Sequence, residues 1–276
     1  MRFRKVYVEI SNMCNLKCSF CPGTKRPGRR MTAEEFEGIL PKLRPYTDYL
    51  YFHLMGEPLC HPELENFLTL AHQAGFQVIL TTNGTLIGKV GQVLLKSPGL
   101  HKINFSVHAF EANAFHFTLE DYVQSLCDFG KQAGCLTVYR LWNRGGEDRK
   151  NEEILSVLHR NYPGDWVQER LGIRLADKTY LEYGDRFQWP ELGGSEENAP
   201  VFCYGLRDQL GVLCDGTVVP CCLDHEGDIP LGNLFRQDLQ EILDSPRAKA
   251  IYEGFSGRKA VEPLCKTCGY ARKFQQ

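Results

Sequence analysis

Apolar runs of strand length alternate with segments of helical period along the first two thirds of the chain. Strands are predicted at 5–11, 49–55, 77–82, 102–108, 136–142 and 178–183. Helices are predicted between them at 32–43, 62–74, 88–97, 118–133 and 151–161. This alternation is typical of βαβ units with right-handed crossovers, which build a parallel sheet. The first two thirds of the chain are therefore predicted to have an α/β fold.

The last third of the chain has a different pattern. Residues 193–200 are rich in glycine and polar side chains, which predicts a linker. Beyond it, Asp215-Gly216 separates two apolar arms, a strong signal for a β-hairpin. A helix is predicted at 239–252, with a break at Pro246. We therefore expect two domains, residues 1–192 and residues 200–276.

Composition excludes several classes of protein. The chain has 276 residues, of which 43% are hydrophobic and 24% charged, as in ordinary globular proteins. The formal net charge is −2, so no overall basic field favours nucleic acid or an anionic membrane as a partner. No apolar run reaches 18 residues, and the first residues lead directly into a strand. We expect a cytoplasmic protein without a membrane anchor or signal peptide.

Cysteines provide the main chemical signal. Nine of the twelve cysteines fall in three groups, and in a reducing cytosol such bunching indicates metal binding more often than disulfides. Cys14, Cys18 and Cys21 have the spacing C-x3-C-x2-C, directly after the first strand. Three thiolates suit an iron–sulfur cluster, and they leave the fourth iron of a cubane open. A zinc knuckle is disfavoured, because no histidine follows within 30 residues.

A second set of cysteines lies in the last third of the chain. Cys203, Cys221, Cys265 and Cys268 form a pattern that ends in C-x2-C. Four soft ligands suit a tetrahedral zinc site and a fully ligated [4Fe–4S] cluster equally well, so the spacing leaves both open. It also leaves open whether Cys221 or its neighbour Cys222 is the ligand.

Polar residues follow several of the predicted strands. They are Gly56-Glu57-Pro58, Asn83, Ser106, His108 and Arg144. The carboxyl ends of parallel strands meet at one edge of a sheet, where active sites of such folds lie. Each polar side chain serves equally well as a structural hydrogen-bonding group, and Arg144 serves equally well to rigidify the following Gly-Gly turn. The basic run 25–30 predicts a solvated rim more than an anion site.

Phe20 precedes the third cysteine, and this C-x3-C-x-aromatic-C motif resembles the signature of the radical S-adenosylmethionine (SAM) enzymes. The resemblance implies an incomplete, TIM-like (β/α)6 barrel and a [4Fe–4S] cluster whose open iron binds SAM. It implies that Gly56, Glu57 and Pro58 complete the methionine site, although Met55 stands where the family has a glycine. By the same resemblance, Phe20 lies beside the adenine. The resemblance also implies that the strand-end groups Asn83, Ser106 and His108 bind the ribose or the methionine carboxylate of SAM, or the substrate.

The C-terminal cysteines resemble the SPASM domain and its shortened twitch form, a hairpin with helices that carries auxiliary [4Fe–4S] clusters. This resemblance favours iron over zinc and one auxiliary cluster, hence two clusters in the chain. Within the family, the stretches 143–146 and 108–109 are similar to those of the dehydrogenases that oxidise deoxy-scyllo-inosamine. That similarity implies a catalytic role for Arg144, beside the reacting alcohol of the substrate.

The resemblance implies an oxidoreductase in which a 5′-deoxyadenosyl radical takes hydrogen from a small sugar-like or cyclitol-like molecule. The auxiliary cluster would accept an electron, and an external one-electron reductant such as flavodoxin or ferredoxin would supply the first. A peptide- or protein-modifying maturase is the alternative. A non-catalytic protein with zinc at both cysteine sets is a third hypothesis.

Overall fold

A computed structural model describes residues 2–196 and 201–271. Its first part alternates strands and helices, as the pattern predicts. The parallel strands are β1 (Lys5–Val8), β2 (Tyr49–Phe52), β3 (Gln77–Thr82), β4 (Leu100–Ser106) and β5 (Leu136–Arg144). The helices that connect and follow them are α1 (Ala33–Leu43), α2 (Leu64–Gln73), α3 (Ile87–Lys96), α4 (Leu119–Gln132) and α5 (Asn151–Asn161). Thr32 and Glu35 form a capping box at the start of α1.

Six further strands complete the sheet. They are β6 (Val167–Glu169), β7 (Gly172–Ala176), β8 (Thr179–Asp185), β9 (Gln209–Val212), β10 (Thr217–Val219) and β11 (Gly232–Asn233). The last helices are α6 (Leu239–Leu243), α7 (Pro246–Ser256) and α8 (Pro263–Lys266). Within the described residues the sheet has eleven strands, in the order β11-β10-β9-β1-β2-β3-β4-β5-β8-β7-β6.

The six strands β1 to β5 and β8 are parallel and adjacent, which is the predicted incomplete (β/α)6 barrel. β8 fulfils the prediction of a sixth strand near residues 178–183. It is reached through an antiparallel hairpin, β6–β7, that the sequence pattern did not reveal. These two short strands carry mostly exposed or half-buried side chains, so they show no apolar alternation.

The C-terminal hairpin forms around Asp215-Gly216 as predicted, with β9 and β10 antiparallel. β9 also pairs in parallel with β1, from Lys5↔Gln209 to Val8↔Val212, so the sheet runs on from the barrel into the C-terminal region. The predicted helix 239–252 is two helices, because Pro246 begins α7 after Ser245 caps it. Residues 197–200 of the predicted linker lie outside the described residues, and the division into two domains remains a prediction.

Apolar side chains concentrate between the parallel strands and the helices. Val6, Phe52, Leu80, Phe105 and Leu141 come from five different strands, and all are buried in one core with residues of the helices. Side chains alternate across a strand, so the neighbours of these residues point to the other, inner face of the curved sheet. No helix in the described ranges is long and apolar enough to cross a membrane.

Candidate active site

The three N-terminal cysteines lie in a loop that follows β1 at the carboxyl edge of the sheet. Cys14 and Cys21 are exposed, and Cys18 is half-buried. The amide of Cys21 donates to the carbonyl of Cys18 at 3.1 Å, and the amide of Leu16 donates to the sulfur of Cys14 at 3.4 Å. Although Cys14 is exposed as a residue, neighbouring protein groups displace part of the solvent around its sulfur, which raises the pKa of Cys14 to about 11. The free thiol is therefore protonated at neutral pH, and binding iron as a thiolate releases a proton.

The Gly-Glu-Pro turn after β2 is bonded directly to this loop. The amide of Glu57 donates to the carbonyl of Met13 at 2.9 Å. Gly56 has φ +76°, and a Cβ at that position would stand 2.3 Å from the carbonyl oxygen of Ser11. Only glycine combines this conformation with so close an approach. The turn and the cysteine loop thus form one unit.

The Glu57 side chain is buried and ties the turn to the end of β3. Its carboxylate accepts hydrogen bonds from the Thr82 hydroxyl at 2.6 Å, the Asn83 amide at 2.7 Å and the Leu59 amide at 3.0 Å. Burial raises the pKa of Glu57 to about 7, despite these three donors. The side chain therefore positions two strand ends, rather than facing solvent.

Two asparagines hold the cysteine loop from neighbouring strand ends. Asn83 donates to the side-chain oxygen of Asn15 at 2.9 Å, and Asn15 donates to Thr85 at 2.8 Å. Asn113, in the loop after β4, donates to the sulfur of Cys18 at 3.2 Å and accepts from the amide of Lys17. Hydrogen bonds to cysteine sulfurs tune the reduction potentials of iron–sulfur clusters. Asn113 was not predicted from the sequence.

A pocket beside the loop contains two of the predicted residues. The ring of Phe20 lies 4.8 Å from that of His108, whose Nδ1 is 2.9 Å from the carbonyl oxygen of Arg140. Burial lowers the pKa of His108, which favours the neutral ring. Trp142 and Arg186 line the same pocket. The structure therefore brings Phe20 and His108 together, and their roles at a cofactor remain predictions.

Ser106 and Arg144 occupy different surroundings. Ser106 ends β4, half-buried, in register with Arg140. Arg144 ends β5 and is exposed, with its guanidinium 4.6 Å from the ring centre of Tyr183. A role of Arg144 at the substrate remains a prediction, and Arg186 is the arginine that lines the pocket beside Phe20.

The basic run 25–30 was predicted to be a solvated rim, and for two of its arginines this is wrong. Arg26 donates through both terminal nitrogens to the carboxylate of Glu9, at 2.8 and 2.7 Å. The Glu9 side chain is fully buried, and it also accepts from the amides of Met55 and Cys214. Arg29 bonds the carbonyl of Cys214 and forms an ion pair with Glu35. The run therefore anchors the cysteine loop.

The four C-terminal cysteines surround one cavity. Its lining includes Cys203 after the linker, Cys221 after β10, and Cys265 and Cys268 around α8. Burial raises the pKa of Cys203 to about 11, and Cys265 and Cys221 shift in the same direction. The sulfurs are close enough that each raises the pKa values of others in the set. Within 2–196 and 201–271, no three metal-binding side chains converge closely enough for one ion.

Cys221 and Cys222 point to different places. Cys221 lines the cavity with the other three thiols, whereas Cys222 packs against the cluster that contains Tyr7 of β1. Cys214 is buried at the end of β9, next to Glu9 and Arg26. This arrangement favours Cys221 as the fourth ligand, and the ligand set as a whole remains a prediction.

Soft sulfur donors at two separate positions, one of three thiols and one of four, fit iron–sulfur clusters by their chemistry. A parallel, incomplete barrel with the three-thiol loop at its carboxyl edge defines a class of cluster-dependent enzymes. The family model of the radical SAM superfamily matches residues 8–162, and that of an iron–sulfur cluster-binding domain, SPASM, matches 203–269. The chain belongs to the radical SAM superfamily, whose cofactors are a [4Fe–4S] cluster and SAM.

Three relatives show how varied the chemistry of similar chains is. A probable GTP 3′,8-cyclase of Methanocella arvoryzae is 32% identical, covering 88% of this chain and 89% of that protein. A SAM-dependent 2-deoxy-scyllo-inosamine dehydrogenase of Niallia circulans is 21% identical, covering 96% and 92%. The structure of Streptococcus suis SuiB bound to its precursor peptide SuiA has a TM-score of 0.65 and 17% identity, covering 99% and 71%. The last similarity shows the fold alone.

Several residues of the site were missed by reasoning from the sequence. Lys102 and Asn104 were not predicted; together with the predicted Ser106 they alternate along β4 with Ile103 and Phe105, which are buried against the helices. This alternation places Lys102, Asn104 and Ser106 on the side of β4 that faces the barrel interior, and the alternation was visible in the sequence. The pairing of Glu9 with Arg26 and Cys214 was not visible in the sequence, because no local pattern connects these positions.

Proposed function

We propose that this radical SAM enzyme is an oxidoreductase acting on a small hydroxylated molecule, with the C-terminal cluster as electron acceptor. The observation that carries the proposal is the set of four thiols around one cavity. Four protein ligands saturate the four irons of a cubane, so no iron is left to bind a substrate. A cluster without an open position is suited to accepting electrons.

The C-terminal cavity lies next to the barrel interior. Tyr270 lines the cavity, and the charges of Arg140 and Glu182 in the barrel act on its pKa, which burial raises. Cys222 packs against the cluster that contains Tyr7, whose ring lies 5.1 Å from that of His53 in the barrel. Electrostatic and ring contacts thus bring the barrel interior and the C-terminal cysteine region close together.

The proposed oxidation balances with the cofactors of the family. When bound, SAM would supply the hydrogen-abstracting group, since its one-electron cleavage gives methionine and a 5′-deoxyadenosyl radical, with the electron coming from an external donor such as flavodoxin or ferredoxin. The alcohol carbon of the substrate gives up one hydrogen atom, forming 5′-deoxyadenosine. The hydroxyl oxygen of the substrate then loses a proton to solvent, and the substrate carbon radical loses one electron. The product is a carbonyl. The C-terminal cluster supplies the acceptor for that last electron.

GTP cyclisation is a second candidate function. It is favoured by the 32% identity with the probable GTP 3′,8-cyclase over most of both chains. A maturase acting on peptides is the alternative that the SuiB fold similarity keeps in view. Four thiols at the C-terminal cavity favour the oxidoreductase over the cyclase, since a saturated cluster leaves no iron to bind a nucleotide base.

The test compares the wild-type protein with Cys265→Ala after anaerobic reconstitution. Reduced protein with SAM is incubated with deuterated polyols, sugar acids, sugar phosphates and GTP, and deuterium in 5′-deoxyadenosine identifies the substrate. Cys265→Ala is expected to form 5′-deoxyadenosine with at least tenfold less oxidised product per SAM cleaved. Cys127→Ala, which removes a buried core thiol of α4 that belongs to neither set, is the matched control and should keep the wild-type ratio.

Two results would overturn the proposal. One is an unchanged ratio of product to 5′-deoxyadenosine in Cys265→Ala, with its iron content reduced by about half on the four-iron stoichiometry. The other is deuterium transfer from GTP alone, with a cyclised product and no oxidised alcohol.

A further inference from the structure

The inner face of the parallel sheet is polar, in contrast to its helix-facing side. Lys102 and Asn104 lie on the inner side of β4, opposite to Phe105, which is buried in the main core. On β5, Arg140 and Trp142 share the inner side, and the guanidinium lies 4.5 Å from the ring centre of Trp142. A polar surface in the interior of a barrel indicates a ligand, because an apolar filling would stabilise the fold more.

Side chains from distant strands meet in this interior. β2 and β5 are separated by two strands, so about 14 Å would divide them in a flat sheet. Nevertheless the charge of Arg140 acts on both Tyr51 and His53 of the β2 end. Tyr7 on β1 contacts the same two rings, with centroids 5.2 and 5.1 Å away. The curved sheet therefore encloses one common space.

Several polar atoms in this space have no partner. Among the described residues, the buried Nδ1 of His53, Oδ1 of Asn104 and Nε1 of Trp142 form no hydrogen bond. The ammonium of Lys102 likewise forms no hydrogen bond or ion pair with any residue in 2–196 or 201–271. Each buried unsatisfied polar group costs about 1–3 kcal/mol, which a bound molecule with matching groups would recover.

The charges in the space are mostly positive. The charged side chains that act on one another here are Lys5, Lys102, Arg140 and Glu182. Glu182 is bound by the Nε of Arg140 at 2.8 Å and offsets one of the three positive charges, so the four groups together carry a net charge of +2. His53 does not change this balance, because burial lowers its pKa to about 3 and keeps the ring neutral. Tyr7, Tyr51 and Tyr270 also keep their protons, since burial raises their pKa values.

We propose that the inner surface formed by His53, Lys102, Asn104, Arg140 and Trp142 binds the substrate, and that the substrate carries a phosphate or carboxylate held by Lys102 and Arg140. The inference rests on the proposed function, whose hydroxylated substrate it narrows to a sugar phosphate or a sugar acid. The hydroxylated part then extends towards Trp142, which also lines the pocket beside Phe20.

Anion binding can be measured without turnover. Protein with both clusters and SAM, but no reductant, is titrated with inorganic phosphate, acetate or neutral myo-inositol, and heat of binding and Trp fluorescence are recorded. Either anion is expected to bind at least tenfold more tightly than myo-inositol. The anion that binds more tightly identifies the anionic group of the substrate as a phosphate or a carboxylate. Lys102→Gln should weaken the anion at least tenfold. Lys96→Gln, an exposed lysine on the outer surface of α3, should leave it unchanged.

A second variant guards against misfolding of the first. Asn104→Asp adds a negative charge to the same space and should weaken phosphate binding to a similar extent. The inference is overturned if neither anion binds better than myo-inositol, or if Lys102→Gln and Asn104→Asp bind them like Lys96→Gln. Failure of the proposed function looks different: the anions bind as expected, yet the reduced enzyme forms no oxidised product from any sugar phosphate or sugar acid.

Discussion

Gly56 determines how closely the SAM-site turn approaches the cysteine loop. Its φ of +76° and the 2.3 Å separation between an added Cβ and the Ser11 oxygen mean that any side chain displaces the loop backbone. We expect Gly56→Ala to lower the free energy of unfolding by more than about 2 kcal/mol, from left-handed strain plus the clash. Urea denaturation of the metal-free protein measures this.

Gly38 provides the matched control for that substitution. It lies in the middle of α1, and an added Cβ there meets nothing within 4 Å. Gly38→Ala should raise stability by about 0.5–1 kcal/mol, because alanine favours helix. Equal effects of the two substitutions would show that the close approach at Gly56 has no energetic consequence.

Glu57 makes the stability of the site depend on pH. Its pKa rises from an ordinary value of 4.5 to about 7 in the folded protein, because of burial. Between these values the folded state holds a proton that the unfolded state has lost, so this contribution to stability falls as pH rises. The limiting slope for one group is about 1.4 kcal/mol per pH unit.

Glu57→Gln tests this linkage. The amide does not titrate, so the variant should lose less stability than the wild-type protein when pH is raised from about 5 to about 8. Denaturant titrations at several pH values measure the difference between the two. Parallel pH profiles would contradict the assigned pKa and place the titrating group elsewhere.

At the scale of elements, the cysteine loop is secured by a buried ion pair. Arg26 and Glu9 are 14% and 0% exposed in their side chains, and together they connect β1, the loop and the turn after β9. Arg26→Met leaves a buried carboxylate with only two amide donors. Removing one partner of a buried pair costs about 3–5 kcal/mol. We expect a loss of that size in chemical denaturation.

Two further variants separate the buried pair from general effects of charge. Arg30→Met removes an exposed arginine of the same basic run and should change stability by less than about 0.5 kcal/mol. The double variant Glu9→Gln/Arg26→Met lacks the uncompensated charge, so it should be more stable than Arg26→Met alone. If the double variant were the less stable of the two, the pair would not explain the cost.

The strand–helix alternation was predictable because apolar residues recur with the period of each element over predicted segments of six to sixteen positions. Strands β6 and β11 were not predictable from the sequence, since strands of three and two residues carry too few positions to show a period. The cysteine spacing also indicated the site from the sequence, because the three cysteines lie within eight consecutive residues. Glu9 and Cys214 are 205 residues apart, and only the folded sheet brings them together.

At the scale of the whole molecule, two separate thiol sets predict the metal content. Anaerobically reconstituted protein should contain about eight irons and eight sulfides, and a Cys14/Cys18/Cys21 triple alanine variant about half of each. Cys127→Ala should retain the full content, because its thiol lies in the core between the helices and the sheet. Stoichiometric zinc in the wild-type protein, or an unchanged iron content in the triple variant, would contradict the assignment.

The pairing of β1 with β9 sets the order of events during synthesis. One edge of the first strand remains open until Gln209–Val212 has left the ribosome, some 200 residues later. At a ribosomal rate of about 5–20 residues per second, that edge is exposed for on the order of ten seconds or more, and open strand edges are templates for aggregation. Glu9, at the end of this strand, receives the amide of Cys214 only then. A nascent chain therefore completes the framework around its first cluster only after the hairpin beside the second one has emerged.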